Sequence, residues 1–245
     1  MTYCVGLCLQ DGLVLLSDTR TNAGPDNIAS FTKMNVVAPG DRVIAMMSAG
    51  NLAVTQAVVA RVIDGLGLDQ NEPYETLMTV KSMYEAAQLV GNAVSRVYTS
   101  ATSGPNAQNF MFDASIIVAG QIAGEKMKMF HIYAAGNFIE STVDTPFFQI
   151  GEAKYGKPIL DRVARYDTPL DGAVKLALIS MDSTLRSNFS VGLPADLLVY
   201  RRDSQEVAVR ERITEDNPYF RDIRTRWSEA LREAYSGLPT PPWMS

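Results

Sequence analysis

Apolar residues run almost unbroken through positions 2–9 and again through 13–19, and Asp11-Gly12 between them marks a tight turn. The pattern predicts two strands joined as a hairpin. Further extended stretches follow over 33–37 and 42–49, the second ending at Gly50. Ala49-Gly50-Asn51 then opens a helix predicted over 52–66, and helical periodicity returns over 73–98. Positions 99–109, rich in Ser, Gly, Pro and Asn, read as a loop. Strands over 111–122 and 126–134 flank a turn at Gly124, and 142–150 is largely extended. Helices are predicted over 153–165 and 171–186, the second with Val174, Ala177, Leu178 and Met181 on one face. A hairpin of 197–201 with 207–213 precedes a charged amphipathic helix over 217–235. That helix carries Arg221, Arg224, Arg226 and Arg232, which form either a solvated face or a contact between subunits. Pro239, Pro241 and Pro242 bar a helix beyond it. The expectation is one domain over 1–237 and a Pro-rich tail over 238–245, either disordered or docked through Trp243 on a neighbouring subunit. Strands, helices, strands and helices in that order suit stacked α and β layers.

Composition narrows the function. The 245 residues are 47% hydrophobic, enough for a sizeable core, and carry a net charge of −5. With a pI near 5.0 and no basic run, nucleic acid and anionic membranes are poor partners. No apolar run approaches the ~20 residues of a membrane span. The first cation is Arg20, so the N-terminus lacks the positive region of a signal peptide, and a cytoplasmic location is expected. Cys4 and Cys8 lie four apart in one strand, hence about 13 Å apart, too far for a disulfide; they read as buried thiols. His131, the only histidine, sits in an apolar run and reads as a packed strand residue. Neither a zinc site nor a histidine-based triad is expected, and no metal or cofactor is implied.

The candidate chemistry lies at the N-terminus. Removing Met1 would leave Thr2 with a hydroxyl nucleophile and a free α-amine on one residue. Such an amine can activate that hydroxyl, and its pKa of about 7.7–8.0 lets it act as a base near neutral pH. The hairpin folds Asp18 back towards Thr2, and the 33–37 strand brings Lys33 alongside. A cation there disfavours protonation of the amine, while Asp18 holds the lysine charged and oriented. Gly50, at a strand end followed by a helix start, is placed to offer an N–H to an oxyanion.

Ser17-Asp18-Thr19-Arg20-Thr21-Asn22-Ala23-Gly24, then Lys33, then Met47-Ser48-Ala49-Gly50 resemble the N-terminal half of a proteasome-type β subunit. Lys33 arrives one residue early, which implies a one-residue deletion in the loop before it. Phe148-Gln149-Ile150-Gly151-Glu152-Ala153-Lys154-Tyr155-Gly156-Lys157-Pro158 and the stretch from Ser180-Met181-Asp182 to Ser190-Val191-Gly192 resemble the bacterial ancestral β-subunit branch, Anbu. The resemblance implies an α+β fold, a four-layer αββα sandwich of the N-terminal nucleophile hydrolase type. It also implies a homo-oligomeric ring or open spiral acting on peptide or amide substrates; an ATPase partner is not indicated by the sequence. It assigns Thr2 as nucleophile, Asp18 and Lys33 as its charge partners and Gly50 as oxyanion donor. Thr21, Asn22, Phe31, Asn35, Ser48 and Leu52 are the implied substrate-binding residues.

Two positions depart from the family pattern. Gly151-Glu152-Ala153 stands where Gly-Ser-Gly is usual, so a carboxylate replaces a hydroxyl. In Ser187-Asn188-Phe189-Ser190 the last serine matches a catalytic position, but the usual aspartate does not occur. Asp182 is about 500° around the helix from Ser187 and pairs more readily with Arg186 at i+4. Glu152 either pairs with the α-ammonium or Lys33, or stands solvated at the start of the 153–165 helix. Three activities are consistent with this set: a threonine peptidase or amidohydrolase, a hydrolase of non-peptide amides, and a proteolytically silent assembly subunit.

Overall fold

The computed structural model describes residues 1–22, 28–65, 75–102 and 113–244. β1 (Tyr3–Leu9) and β2 (Gly12–Asp18) form the expected hairpin, Leu9 opposite Gly12 and Cys4 opposite Ser17. They share a five-stranded antiparallel sheet with β10 (Phe147–Gly151), β11 (Ala195–Arg201) and β12 (Val207–Ile213), in the order β10-β1-β2-β11-β12. The second sheet, in the order β5-β6-β7-β8-β9, is built from β5 (Met34–Val37), β6 (Arg42–Gly50), β7 (Ala114–Ile122), β8 (Lys128–Ile132) and β9 (Phe138–Glu140). A two-stranded ribbon, β3 (Arg20–Asn22) with β4 (Ile28–Ser30), projects between β2 and β5.

The near-continuous apolar runs follow from burial on both faces of each sheet. In β1 the even residues Cys4 and Cys8 pack with Leu13, Leu15, Ile117 and Met129 between the two sheets. The odd residues Tyr3, Val5, Leu7 and Leu9 pack outward against Leu160, Ala177, Leu178 and Met181. Those belong to the helix layer of α3 (Lys157–Val163), α4 (Leu170–Ser187) and α5 (Pro218–Ser236). The other sheet is covered by α1 (Leu52–Asp64) and α2 (Met83–Thr102), through Val54, Val58, Val62, Val90 and Val94. The layers are thus αββα, and each fully buried aliphatic side chain contributes about 1.5–3 kcal/mol.

Several boundaries differ from the sequence pattern. Positions 66, 73–74 and 111–112 lie outside the described residues, as do 103–109 of the expected 99–109 loop, while 99–102 belong to the last turn of the second helix instead. The second helix begins at Met83 because Ser82 Oγ accepts from Glu85 N (3.1 Å) and Glu85 Oε2 accepts from Lys81 N (2.8 Å), a reciprocal cap. Upstream, Thr76 and Thr79 hydroxyls hold a turn instead. The third helix is only Lys157–Val163, with Pro158 in its first turn. The extended 142–150 region narrows to β10, and β9 appears ahead of it. Both cysteines are free and buried. Residues 238–244 are exposed, with Pro242–Met244 in a single 3-10 turn. Among the described residues no helix is long and apolar enough to cross a membrane, and no cluster of His, Cys, Asp and Glu could hold a metal ion.

Candidate active site

Thr2 sits where β1 leaves the sheet, and three backbone features seat it. Tyr3 pairs with Gly151 on one side. Glu152 N donates to Thr2 O at 2.6 Å. Gly151 has φ of 81°, and a Cβ there would run into the Thr2 carbonyl; only glycine allows this approach. On the other side of β1, Asp18 Oδ1 accepts from Tyr3 N at 2.9 Å.

That same Asp18 oxygen accepts from Lys33 Nζ at 2.6 Å, and Lys33 Nζ also donates to Arg20 O at 2.6 Å. The ion pair is almost dry, with side chains 5% and 0% exposed for Lys33 and Asp18. Burial pushes the Asp18 carboxyl above its usual range, against the opposing pull of Lys33 and of the Tyr3 and Gly192 N–H groups. Two of the ammonium's three protons are engaged. Lys33 lines a cavity together with Thr2 and Gly50, a space of about 540 Å³. Gly50 has φ of 112° and lies so close to the Asp113 carbonyl that a side chain could not be accommodated. Directly after it, Asn51 caps α1, its Oδ1 accepting from Ala53 N at 3.0 Å.

Thr21, Asn35, Ser48 and Leu52 line this cavity as well. Phe31 does not: its N–H is held by Thr19 O at 2.8 Å, its ring is 38% exposed, and Thr32 takes the place expected for it. The count through the shortened loop is therefore one residue off. Asn22 ends β3, and its side chain lies outside the described residues, as do Ala23 and Gly24 of the motif. Gln56, Val59, Ala60 and Asp64 extend the α1 wall at i+4, i+7, i+8 and i+12 from Leu52, a stripe that counting along the helix could have found. Met1 also lines the cavity, and while it is attached the Thr2 nitrogen is an amide, not a base.

Glu152 is neither a solvated helix-start residue nor the partner of Lys33. It is buried at 3% exposure, and α3 begins only at Lys157, so it is not a solvated helix-start residue. Nor do its oxygens meet Lys33. Oε1 accepts from Lys154 N (3.0 Å) and Oε2 from Asn188 Nδ2 (2.9 Å), while Asn188 Oδ1 accepts from Ser190 N (2.9 Å). The two departures from the family pattern are thus bonded to each other. Together they tie the Gly151 turn to the Ser190 loop, which Arg20 also grips through Phe189 O at 3.0 Å.

Other contacts gave no local sequence signal. The Tyr3 hydroxyl lies 2.6 Å from Ser180 Oγ and accepts from Gln149 Nε2 at 2.9 Å, and burial pushes its pKa well up. Cys4, beside the nucleophile segment, is likewise pushed up by burial and stays a thiol. Asp182 meets Arg186 as expected (3.0 Å) but also Arg224 of α5 (2.6 Å). His131 is half-buried in β8, its Nε2 2.7 Å from Ser115 Oγ.

The profile of the proteasome subunit family matches residues 2–194. Among solved structures, Anbu (ancestral beta-subunit) from Yersinia bercovieri is 50% identical, with 98% of each chain covered and a TM-score of 0.87. The chain belongs to the proteasome subunit family, on its Anbu branch. The Anbu (Gly-1) mutant from Hyphomicrobium sp. strain MC1 is also 50% identical, covering 98% of this chain and 99% of that one at a TM-score of 0.89. A structure described as the helical assembly of the Anbu complex from Pseudomonas aeruginosa is 47% identical, with 98% of each chain covered and a TM-score of 0.90. No curated protein matches. The Anbu-type αββα sandwich accounts for the stacking of both sheets, and the Thr2 cavity opens at one end of them.

Proposed function

We propose that this Anbu-type chain is a self-assembling, cytoplasmic threonine amidohydrolase acting on peptide or related amide bonds. The observation that carries this reading is that Thr2, Lys33 and Gly50 line one cavity, with Lys33 anchored by a buried aspartate. After loss of Met1, the Thr2 α-amine takes the proton from its own Oγ1 as that oxygen attacks the substrate carbonyl. The Gly50 N–H stabilises the resulting oxyanion, the proton passes to the departing amine, and water hydrolyses the acyl ester on Thr2. Lys33 keeps the α-amine unprotonated near neutral pH. Thr21, Asn22, Asn35, Ser48 and Leu52 would contact the substrate, and Ser190 would stand near the amine.

The test is the Thr2→Ala variant beside the mature wild type on a panel of peptide and non-peptide amides, with an amine-and-hydroxyl-directed electrophile read by mass spectrometry. Turnover and labelling at Thr2 only, both lost in Thr2→Ala, support the reading; labelling elsewhere or full activity in Thr2→Ala refutes it. Lys33→Ala should lower kcat/KM by about 10²–10³, as for loss of other electrostatic catalytic groups.

A second reading, a proteolytically silent assembly subunit, applies to a chain that keeps Met1, whose Thr2 nitrogen is an amide and no base. Intact mass of protein from its natural host separates the two, since retained Met1 leaves no free amine.

A further inference from the structure

The cavity that holds Thr2 follows α1 along its length, from Leu52 past Gln56 and Ala60 to Asp64. At 1.5 Å per residue that wall measures about 18 Å, the span of roughly five extended residues. Gly50 stands at one end, just ahead of the helix. Asp64 stands at the other, in the last turn, where the helix dipole is negative and an acid is disfavoured. The charge of the cavity is one-sided. Lys33 is the one cationic side chain among the described residues lining it, and Asp18 already meets that charge at 2.6 Å. Once Met1 is gone, the Thr2 amine is neutral while it serves as base. Two carboxylates, Asp64 and Asp113, line the cavity as well. Both residues are exposed, and no described cation pairs with either. Asp113 belongs to the Gly50 end, its carbonyl accepting from Asn51 N at 2.8 Å. Arg61, three residues before Asp64, does not line the cavity.

We propose that this cavity selects acyl groups carrying a positive charge remote from the scissile bond. Asp64 is the residue that reads the charge, and Asp113 is a second carboxylate that turns acidic acyl groups away. This selection rests on the reading of the Thr2 cavity as the substrate site. The acyl group stays on Thr2 through both steps of the reaction, so it, and not the departing amine, is what the long cavity holds throughout. Val59 and Ala60 offer an apolar wall to an aliphatic stem on its way to Asp64. The cation is either a lysine or arginine side chain or the free α-ammonium of a short peptide, and the two sources are separable by acetylation.

The test separates binding from turnover. Four pentapeptides, alanine beyond their first residue, are titrated calorimetrically into the mature full-length Thr2→Ala chain. Three are N-acetylated and begin with lysine, norleucine or glutamate; the fourth begins with norleucine and has a free N-terminus. Acetylated lysine, or the free-amine norleucine peptide, should bind about fivefold tighter than acetylated norleucine, the worth of one exposed charge pair, and glutamate should bind more weakly. Asp64→Asn should erase the cationic advantage, Asp64→Lys should reverse the order of lysine and glutamate, and about 1 M salt should narrow every difference. No preference in either cationic arm, or one that survives Asp64→Asn, overturns the proposal, as does an undiminished penalty on glutamate in the Asp64→Asn, Asp113→Asn double variant. Turnover of the corresponding C-terminal anilides by the wild type at equal rates refutes the selection and leaves the Thr2 chemistry standing. Charge-selective binding without turnover does the reverse.

Discussion

Lys33→Met isolates the energetics of the Asp18–Lys33 pair from its chemistry. Asp18 is fully buried and Lys33 nearly so, so little solvent screens the loss. Without Lys33, Asp18 Oδ1 keeps only the Tyr3 N–H, and the other oxygen has no well-formed hydrogen bond. Breaking a buried pair by removing one partner costs about 3–5 kcal/mol. At about 2–4 °C per kcal/mol for a chain of this size, Tm should fall by roughly 6–20 °C. Asp18→Asn with Lys33→Met removes both charges and should recover most of that loss, since replacing both partners is often neutral or stabilising. Catalytic labelling at Thr2 should be absent in both variants, which separates stability from function. The pH dependence has a fixed sign. A carboxyl raised in the folded state binds protons there more readily than in the unfolded chain. Stability therefore falls as pH rises from the unfolded value of ~3.9 through the folded one, further up in Lys33→Met because the opposing cation is gone. The deficit of Lys33→Met should be smaller at pH 5 than at pH 8. The assay is thermal and urea denaturation at one protein concentration, because assembly shifts apparent stability. A Tm for Lys33→Met within 2 °C of wild type (less than ~1 kcal/mol), or a double variant no more stable than the single, refutes the reasoning.

Glu152→Ala should cost about 1–3 kcal/mol by stranding Asn188 Nδ2 and the Lys154 N–H, lowering Tm and labelling while leaving the pH optimum in place; a displaced optimum would mean that the carboxylate acts directly on the amine. Gly151→Ala should cost at least about 1–3 kcal/mol in backbone strain and abolish labelling at Thr2, checked by melting and mass spectrometry. Tyr3→Phe should destabilise by about 1–3 kcal/mol by leaving the Gln149 amide without its acceptor, read by urea denaturation. Burial lowers the pKa of His131, so the unfolded chain binds its proton first and stability should fall as pH drops through ~6.5; as the only histidine, His131→Gln should flatten that slope.

The hairpin, the Thr2–Asp18–Lys33 grouping and the layer order were legible because strands of period two with a tight turn leave few registers. Burial on both faces made them conspicuous. The start of α2 was misplaced because hydrophobic periodicity continues past the cap at Ser82, where two side-chain hydrogen bonds decide the boundary. Phe31 was misassigned because a shortened loop breaks counting by one. Glu152 was misread because its environment is made by Asn188, 36 positions away. Tyr3 with Ser180 and Asp182 with Arg224, separated by 177 and 42 positions, are likewise set by tertiary packing, which no local pattern encodes.

The first strand of this chain completes its neighbours last. β1 finds β2 at once, but its other edge waits for β10 at residues 147–151, and β2 waits for β11 at 195–201. At synthesis rates of about 5–20 residues per second, the 150 residues to β10 take ~8–30 s. Throughout that interval the Gly151–Glu152 seat around the Thr2 carbonyl does not exist, and Met1 hangs on an unanchored terminus open to an aminopeptidase. Removal of Met1 at that stage would precede the seat around Thr2, while in the folded chain Met1 is still 58% exposed, so both routes to a free threonine amine are open.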